Sequence, residues 1–187
     1  PNLTIDPVII AGQLITAIQT IISRVTSPID KALISITKVN VGTAYNVIDD
    51  DAFLAGTVRT FKESTRKNIE NKLLTLSKGI AQANGADIEF KYKLGYPPTI
   101  NSKNESIFAG EVAKELVGEK NVVNEIDPSM GGEDFSYFLN EKPGSYLYIG
   151  QKDEDHNAHL HTTNYDFNDN LLPIGVNFWV DLVKDFF

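Results

Sequence analysis

With 187 residues, 42% hydrophobic and 22% charged, the chain has an ordinary globular composition and the length of one large domain or two small ones. Such a chain buries roughly 70% of its unfolded surface, so its core needs no disulfide or structural metal. Its 17 Lys and Arg against 25 Asp and Glu give a net charge of −8, which argues against nucleic acid as a partner. Cysteine is absent, which excludes a disulfide scaffold, Cys-ligated zinc and a cysteine nucleophile, and no apolar run approaches the roughly 18 residues of a membrane helix.

Residues 6–25 predict an amphipathic helix. Asp6 is the N-cap, Pro7 sits at the first helical position, and Ile10, Leu14, Ile18, Ile21 and Val25 share a face. Residues 32–40 read as a strand buried on both faces, 41–51 as a turn-rich loop, and 52–61 as a second strand. Residues 63–84 predict a second helix, with Ile69, Leu73, Leu76 and Ile80 on one face and Gly85 as its stop. In 86–95, Ile88, Phe90, Tyr92 and Leu94 alternate with Glu89, Lys91 and Lys93, the pattern of a half-buried strand. Helix–strand–strand–helix–strand is the ferredoxin-like split pattern without its first strand. The chain starts at Pro1 without a basic stretch and apolar core, so no signal peptide is visible, and a truncated start is the expectation.

Tyr96, Pro97 and Pro98 form a stiff linker, so the expected domains are 1–98 and 99–187. Beyond it, 104–118 predicts a helix with Ile107, Val112 and Leu116 inward and Gly118 as stop. Residues 121–126 and 145–149 read as strands, 130–134 as a glycine turn opening a short helix, 151–170 as a polar loop, and 171–186 as a helix with Ile174, Phe178, Leu182 and Phe186 on one face. The fold class is α/β.

Chemistry concentrates in few places. His156, His159 and His161 lie within six residues, and on an extended chain His159 and His161 would point the same way. A His pair in an acidic loop is also a common solvated surface feature, and the spacing matches no H-E-x-x-H motif. Gly131, Gly132, Glu133 and Asp134 open a helix whose first N–H groups suit an anion, or simply make a tight turn. Asn46 stands in a turn, where Asn is common for backbone reasons. Arg59 lies in an apolar strand, either solvated at an edge or clamping a carboxylate. Asp49, Asp50 and Asp51 lack the spaced ligands of an EF-hand loop. No P-loop, G-x-G-x-x-G or G-x-S-x-G is present.

The segment MGGEDFSYFLNEKPGSYLYIG (130–150), followed by LHTTNYDFND (160–169), resembles the C-terminal part of a metal-dependent amidohydrolase family. Its members are hippurate hydrolases, indole-acetyl-amino-acid hydrolases, N-acyl-amino-acid amidohydrolases and thermostable carboxypeptidases. Residues 5–24 and 45–61 are similar to that family's lid, or dimerisation, domain, and GYPPTIN (95–101) to its return into the catalytic domain. The resemblance implies a ferredoxin-like lid plus the C-terminal segment of an α/β two-metal aminopeptidase-like catalytic domain. It implies amide hydrolysis of N-acyl amino acids or carboxypeptidase-type peptides by metal-activated water, with two divalent ions such as zinc or manganese.

The resemblance implies His161 as a metal ligand. It implies Asn46 as a contact to the substrate or its oxyanion, and Arg59 as holder of the substrate carboxylate or the subunit interface. Gly131 and Gly132 would present backbone N–H groups to that carboxylate. Asp49 stands where the family has proline. The general base, the other metal ligands and a lid histidine fall upstream of Pro1 in the family pattern. The chain is therefore expected to be a fragment, inactive alone and binding no metal alone, from a cytoplasmic enzyme that dimerises through its lid. A stand-alone dimerisation or ligand-binding module, and one half of a split enzyme, are the alternatives. A fragment of this kind is expected to expose apolar surface over 104–187.

Overall fold

Asp6 starts the first helix. Its carboxylate accepts from the N–H groups of Val8 at 2.9 Å and Ile9 at 3.4 Å, and Pro7 follows where no N–H is needed. The helix α1 spans Pro7–Thr20 and continues as one wider turn over Ile21–Val25. That turn is closed by Thr26, whose N–H and hydroxyl both reach the Ile21 carbonyl, at 2.8 and 2.9 Å. The computed structural model describes residues 1–187 and forms two compact units: Pro1–Pro98 with Met130–Gly132, and Thr99–Ser129 with Glu133–Phe187.

In the first unit, β1 (Ala32–Asn40) and β2 (Phe53–Thr60) pair antiparallel, with Ile34 opposite Val58 and Leu33 opposite Arg59. The register slips between Ile36 and Lys38, leaving Thr37 as the extra residue of a bulge. Opposite Ile36, only glycine fits: a Cβ on Gly56 would sit 2.1 Å from the Ser35 carbonyl oxygen. The helix α2 (Glu63–Ala83) ends where Gly85, at φ +73°, turns the chain, and the Ala86 N–H closes the end on the Ala81 carbonyl at 2.9 Å. Leu14, Ile18 and Ile21 of the first helix meet Ile34 of β1 and Ile69 and Leu73 of α2 in one core, padded by Leu54, Val58, Leu76 and Ile80. Apolar burial of this kind contributes about 25 cal/mol per Å².

Three expectations are corrected here. β1 is not buried on both faces: Ile34 is its one buried residue, and 37–40 are exposed. The segment 86–95 keeps its alternation, with Ile88, Phe90 and Tyr92 packed on the core and Glu89, Lys91 and Lys93 outward, yet it joins no ladder, and the sheet is β1–β2 alone. The core sets the side-chain alternation, but a ladder needs a backbone neighbour about 4.8 Å away. Third, the span Pro7–Val25 is 19 residues with a mean hydropathy of 1.6, long and apolar enough to cross a membrane. Its polar interruptions Gln13, Thr16, Gln19, Thr20 and Ser23 carry no charge, and Arg24 is its single charged residue, so the average stays high. Its Ala11, Leu14, Ile18 and Ile21 are buried, three of them in the core just described.

The second unit is helical and loop-rich. It holds α3 (Lys103–Val117), α4 (Phe135–Glu141) and α5 (Leu172–Phe186), with short tight turns at Glu119–Asn121 and Asp169–Leu171. Gly118, at φ +86°, stops α3, and its N–H bonds the Lys114 carbonyl at 2.8 Å. The α3 face that packs holds Ala109 and Val112, while Ile107, expected inward, is exposed. Residues 121–126 and 145–149 form no strands. Instead the Asn101 side chain imitates a strand neighbour: its Nδ2 donates to the Tyr146 carbonyl and its Oδ1 accepts from the Tyr146 N–H, each at 2.8 Å. On α5, Ile174, Phe178 and Leu182 are half-buried, but Phe186 is exposed although its ring lies 6.1 Å from that of Phe108. A second apolar face of Val176, Trp179, Val180 and Val183 is exposed as well.

Candidate functional site

β2 carries Arg59 beside the core-facing Val58, and alternation turns its side chain to the other face. Its Nη1 donates to the Met130 carbonyl at 2.6 Å. Gly132 follows two residues later, and a Cβ there would lie 3.3 Å from the Tyr96 ring and 3.7 Å from Arg59 Nη1. The structure thus gathers Arg59, Tyr96 and the glycine turn into one cluster of the first unit. A side chain at 132 would require the Tyr96 ring to give by a few tenths of an ångström, and neither Gly131 nor Gly132 has a positive φ. Tyr96, which reads as part of a linker, gives no sign of this contact in the sequence.

Asn46 lies exposed in the loop between β1 and β2. Thr43 Oγ1 donates to Asp49 Oδ1 at 3.0 Å, so Asp49 ties the loop by a side-chain bond where the related pattern has proline. A surface depression lined by Asn2, Leu3, Thr4, Ile5, Ile48, Asp49 and Asp50 adjoins this loop and includes none of the expected site residues.

The start of α4 differs from the anion-binding reading. Glu133 Oε1 accepts from the Phe135 N–H at 3.2 Å, and Tyr146 Oη donates to Oε2 at 2.9 Å. The chain's own carboxylate thus takes up a first-turn donor that a ligand would need. The Phe135 N–H, then the Tyr146 hydroxyl, hold the Glu133 carboxyl below its ordinary range, and the same carboxylate pushes the Tyr146 hydroxyl up.

His161 lies in the second unit, exposed, at φ +66°, the one non-glycine residue with positive φ. The Thr162 N–H bonds the His159 carbonyl at 3.3 Å, so 159–162 is a turn with its left-handed residue third, as type II turns have it. His159 and His161 therefore do not share one face of an extended chain. His156 is engaged elsewhere, its Nδ1 2.8 Å from Asp153 Oδ1. That carboxylate raises the imidazole pKa, and the His156 N–H is the largest cause holding the Asp153 carboxyl down.

No group of three or more His, Asp or Glu side chains is placed to hold a metal ion. A catalytic zinc needs about three protein ligands. His161 alone does not make one, so no chemical step is assigned to a metal on this chain.

Sequence comparison settles the class: the chain belongs to Peptidase family M20/M25/M40, a family of hydrolases, whose pattern matches residues 5–185. It is 38% identical over 182 residues to a hippurate hydrolase of Campylobacter jejuni, covering 97% of this chain and 47% of that protein. It is 32% identical over 182 residues to an N-acetylcysteine deacetylase of Bacillus subtilis, covering 97% and 46%. Among solved structures, a dinuclear metal binding peptidase of the M20 family from Bacillus subtilis superposes with a TM-score of 0.74 at 31% identity, covering 95% of this chain and 45% of that one. The chain spans about half the length of the relatives it matches.

Proposed function

We propose that this chain is the lid and C-terminal catalytic part of a metal-dependent amidohydrolase that cleaves the amide bond of N-acyl amino acids or carboxypeptidase-type peptides. The observation that carries the reading is the end-to-end match, over 97% of the chain, to a hippurate hydrolase and an N-acetylcysteine deacetylase. Hippurate and N-acetylcysteine share one chemical element, an amide beside a free carboxylate. An enzyme for such substrates needs a cation for the carboxylate and a separate means of activating water.

In this reading Arg59 holds the substrate carboxylate. Its bond to the Met130 carbonyl fixes the plane of the guanidinium, and a fixed fork loses less entropy when a carboxylate binds. Gly131 and Gly132 bring backbone close beside it, Asn46 reaches the substrate from the lid loop, and His161 supplies one metal ligand. The general base and the remaining ligands belong to parts of the parent protein outside these 187 residues. The chain alone is then inert and holds no metal, zinc and manganese being the candidates in the parent. The lid dimerises, with Val39, Tyr45, Val47 and Phe53 exposed at the far end of the β1–β2 hairpin. The parent is assigned to the cytoplasm, with the first helix kept in the lid core.

The test is made in the full-length parent with an N-acyl amino acid. Arg59→Ala is expected to raise KM about tenfold or more, as for loss of a charge-assisted bond, and Arg59→Lys less. His161→Ala is expected to lower both bound metal and kcat. Parent-level KM and dimerisation in Arg59→Ala would remove the role of Arg59. Stoichiometric metal with an unchanged rate in His161→Ala would remove that of His161.

A further inference from the structure

Residues 142–168, between α4 and the turn at Asp169–Leu171, contain no helix or strand. A structureless stretch of this length in a compact protein is functional or disordered, and here side chains order its base. Asp153 Oδ1 accepts from the Asp155 N–H at 3.0 Å, the His156 N–H at 2.7 Å and His156 Nδ1 at 2.8 Å. Its Oδ2 accepts from Asn168 Nδ2 at 2.8 Å. One carboxylate thus ties the outgoing arm of the loop to the returning arm.

Asn168 is 6% exposed and uses both ends of its amide. Nδ2 also donates to the Gln151 carbonyl at 3.2 Å, and Oδ1 accepts from the Asn170 N–H at 3.1 Å. An aspartate there has no donor, and a leucine has neither donor nor acceptor. A second tie runs in parallel: Tyr165 Oη donates to Gln151 Oε1 at 2.9 Å, and Gln151 Nε2 donates to the Asp166 carbonyl at 3.2 Å. Between the arms, the tip at 159–164 is exposed and held by its own turn, Thr162 on His159 and Tyr165 on Thr162. Packing therefore does not place the tip, and the tied base does.

We propose that Asp153, His156 and Asn168 form a clasp that positions the tip carrying His161, and that they are positioning residues for the hydrolysis proposed above. The proposal rests on the assignment of His161 to the site. A loop tip a fraction of a turn out of place presents its imidazole wrongly, and errors near 1 Å are costly in a reacting site.

The test uses the full-length parent with Asn168→Ala, His156→Ala, His156→Asn and His161→Ala. Two quantities are read: amide hydrogen exchange over 155–170, which includes the bonded amides of Asp155, His156 and Asn170, and kcat and KM separately with an N-acyl amino acid. Asn168→Ala and His156→Ala are expected to speed exchange and lower kcat, each about tenfold or more, with KM within about threefold. His156→Asn keeps a donor toward Asp153 and is expected to restore both. Unchanged exchange in the Ala variants overturns the clasp. Faster exchange with parent-level kcat, or no rescue by Asn, overturns the positioning role. If Asn168→Ala fails to fold, the His156 pair decides alone. His161→Ala at parent-level kcat strikes the His161 assignment, and with it the positioning role, while the exchange data still report on the clasp separately.

Discussion

Asp153 and His156 make a pH prediction with a definite sign. The Asp153 carboxylate raises the His156 pKa, with Asp155 and Asp166 adding to it. The stability His156 contributes is fully present below an imidazole's ordinary value, about 6.5, and is lost as pH rises through the raised value. The Asp153 carboxyl is held down, so its contribution is present above the ordinary carboxylate range and is lost as pH falls through the lowered value. Protection of 155–170 against exchange is therefore expected to be greatest between those limits, and the gap between parent and His156→Ala to narrow on the alkaline side. A gap that widens there contradicts the pairing. The effect is small, because exposed pairs are screened by water and salt.

At this scale the sequence points to Asp6 as cap and Gly85 and Gly118 as stops, since each depends on local backbone alone. It misleads on His159 and His161, because the shared-face rule assumes an extended chain and His161 is left-handed. It also misses the tie from Glu133 to Tyr146 and the contact of Tyr96 with Gly132, which join residues far apart along the chain.

Among the elements, the hairpin and its two helices carry the sharpest mutational expectations. Gly56→Ala forces a Cβ onto the Ser35 carbonyl, and the strands must part. A cost of about 1–3 kcal/mol is expected, as for overpacking in general, and a thermal midpoint unchanged from the parent would contradict the close approach. Ile69 is 0% exposed at the centre of the core, and Ile69→Ala is expected to cost about 2–5 kcal/mol in a denaturant titration. The helices were legible in outline because a 3.6-residue apolar period needs only one core to face. Residues 86–95 were legible as an alternating segment and illegible as to pairing, since period 2 reports burial and is silent on the backbone neighbour. The same holds for 145–149, where the amide of Asn101 takes the neighbour's place.

Over the whole molecule the two units differ in how they are stabilised. The first has a contiguous apolar core, whereas the second buries only Ala109, Gly110, Val112, Ser136 and Asn168. The second leaves Trp179 61% exposed beside Val176 and Val183 on α5, with Val123, Ile126, Tyr148 and Ile149 exposed in its loops. This is the apolar surface the fragment reading anticipates over 104–187, and patches of this kind drive association. The isolated 187-residue chain is expected to self-associate with rising concentration in sedimentation velocity, and a monomer that stays monomeric at high concentration would contradict that. The family could be read from whole stretches of sequence in register, such as 130–150 with 160–169. The site could be read only in part: the role proposed for His161 came from the resemblance, and no group of three or more His, Asp or Glu side chains stands around it to hold a metal ion.

The most direct test compares hydrolysis of an N-acyl amino acid by the full-length parent and by the 187-residue chain alone, each with zinc or manganese added and each checked by intact mass. Turnover by the parent and none by the chain is the predicted result. Turnover by the chain alone, at a mass near 20.7 kDa, would contradict it, because the base and the metal ligands would then have to be found among these residues.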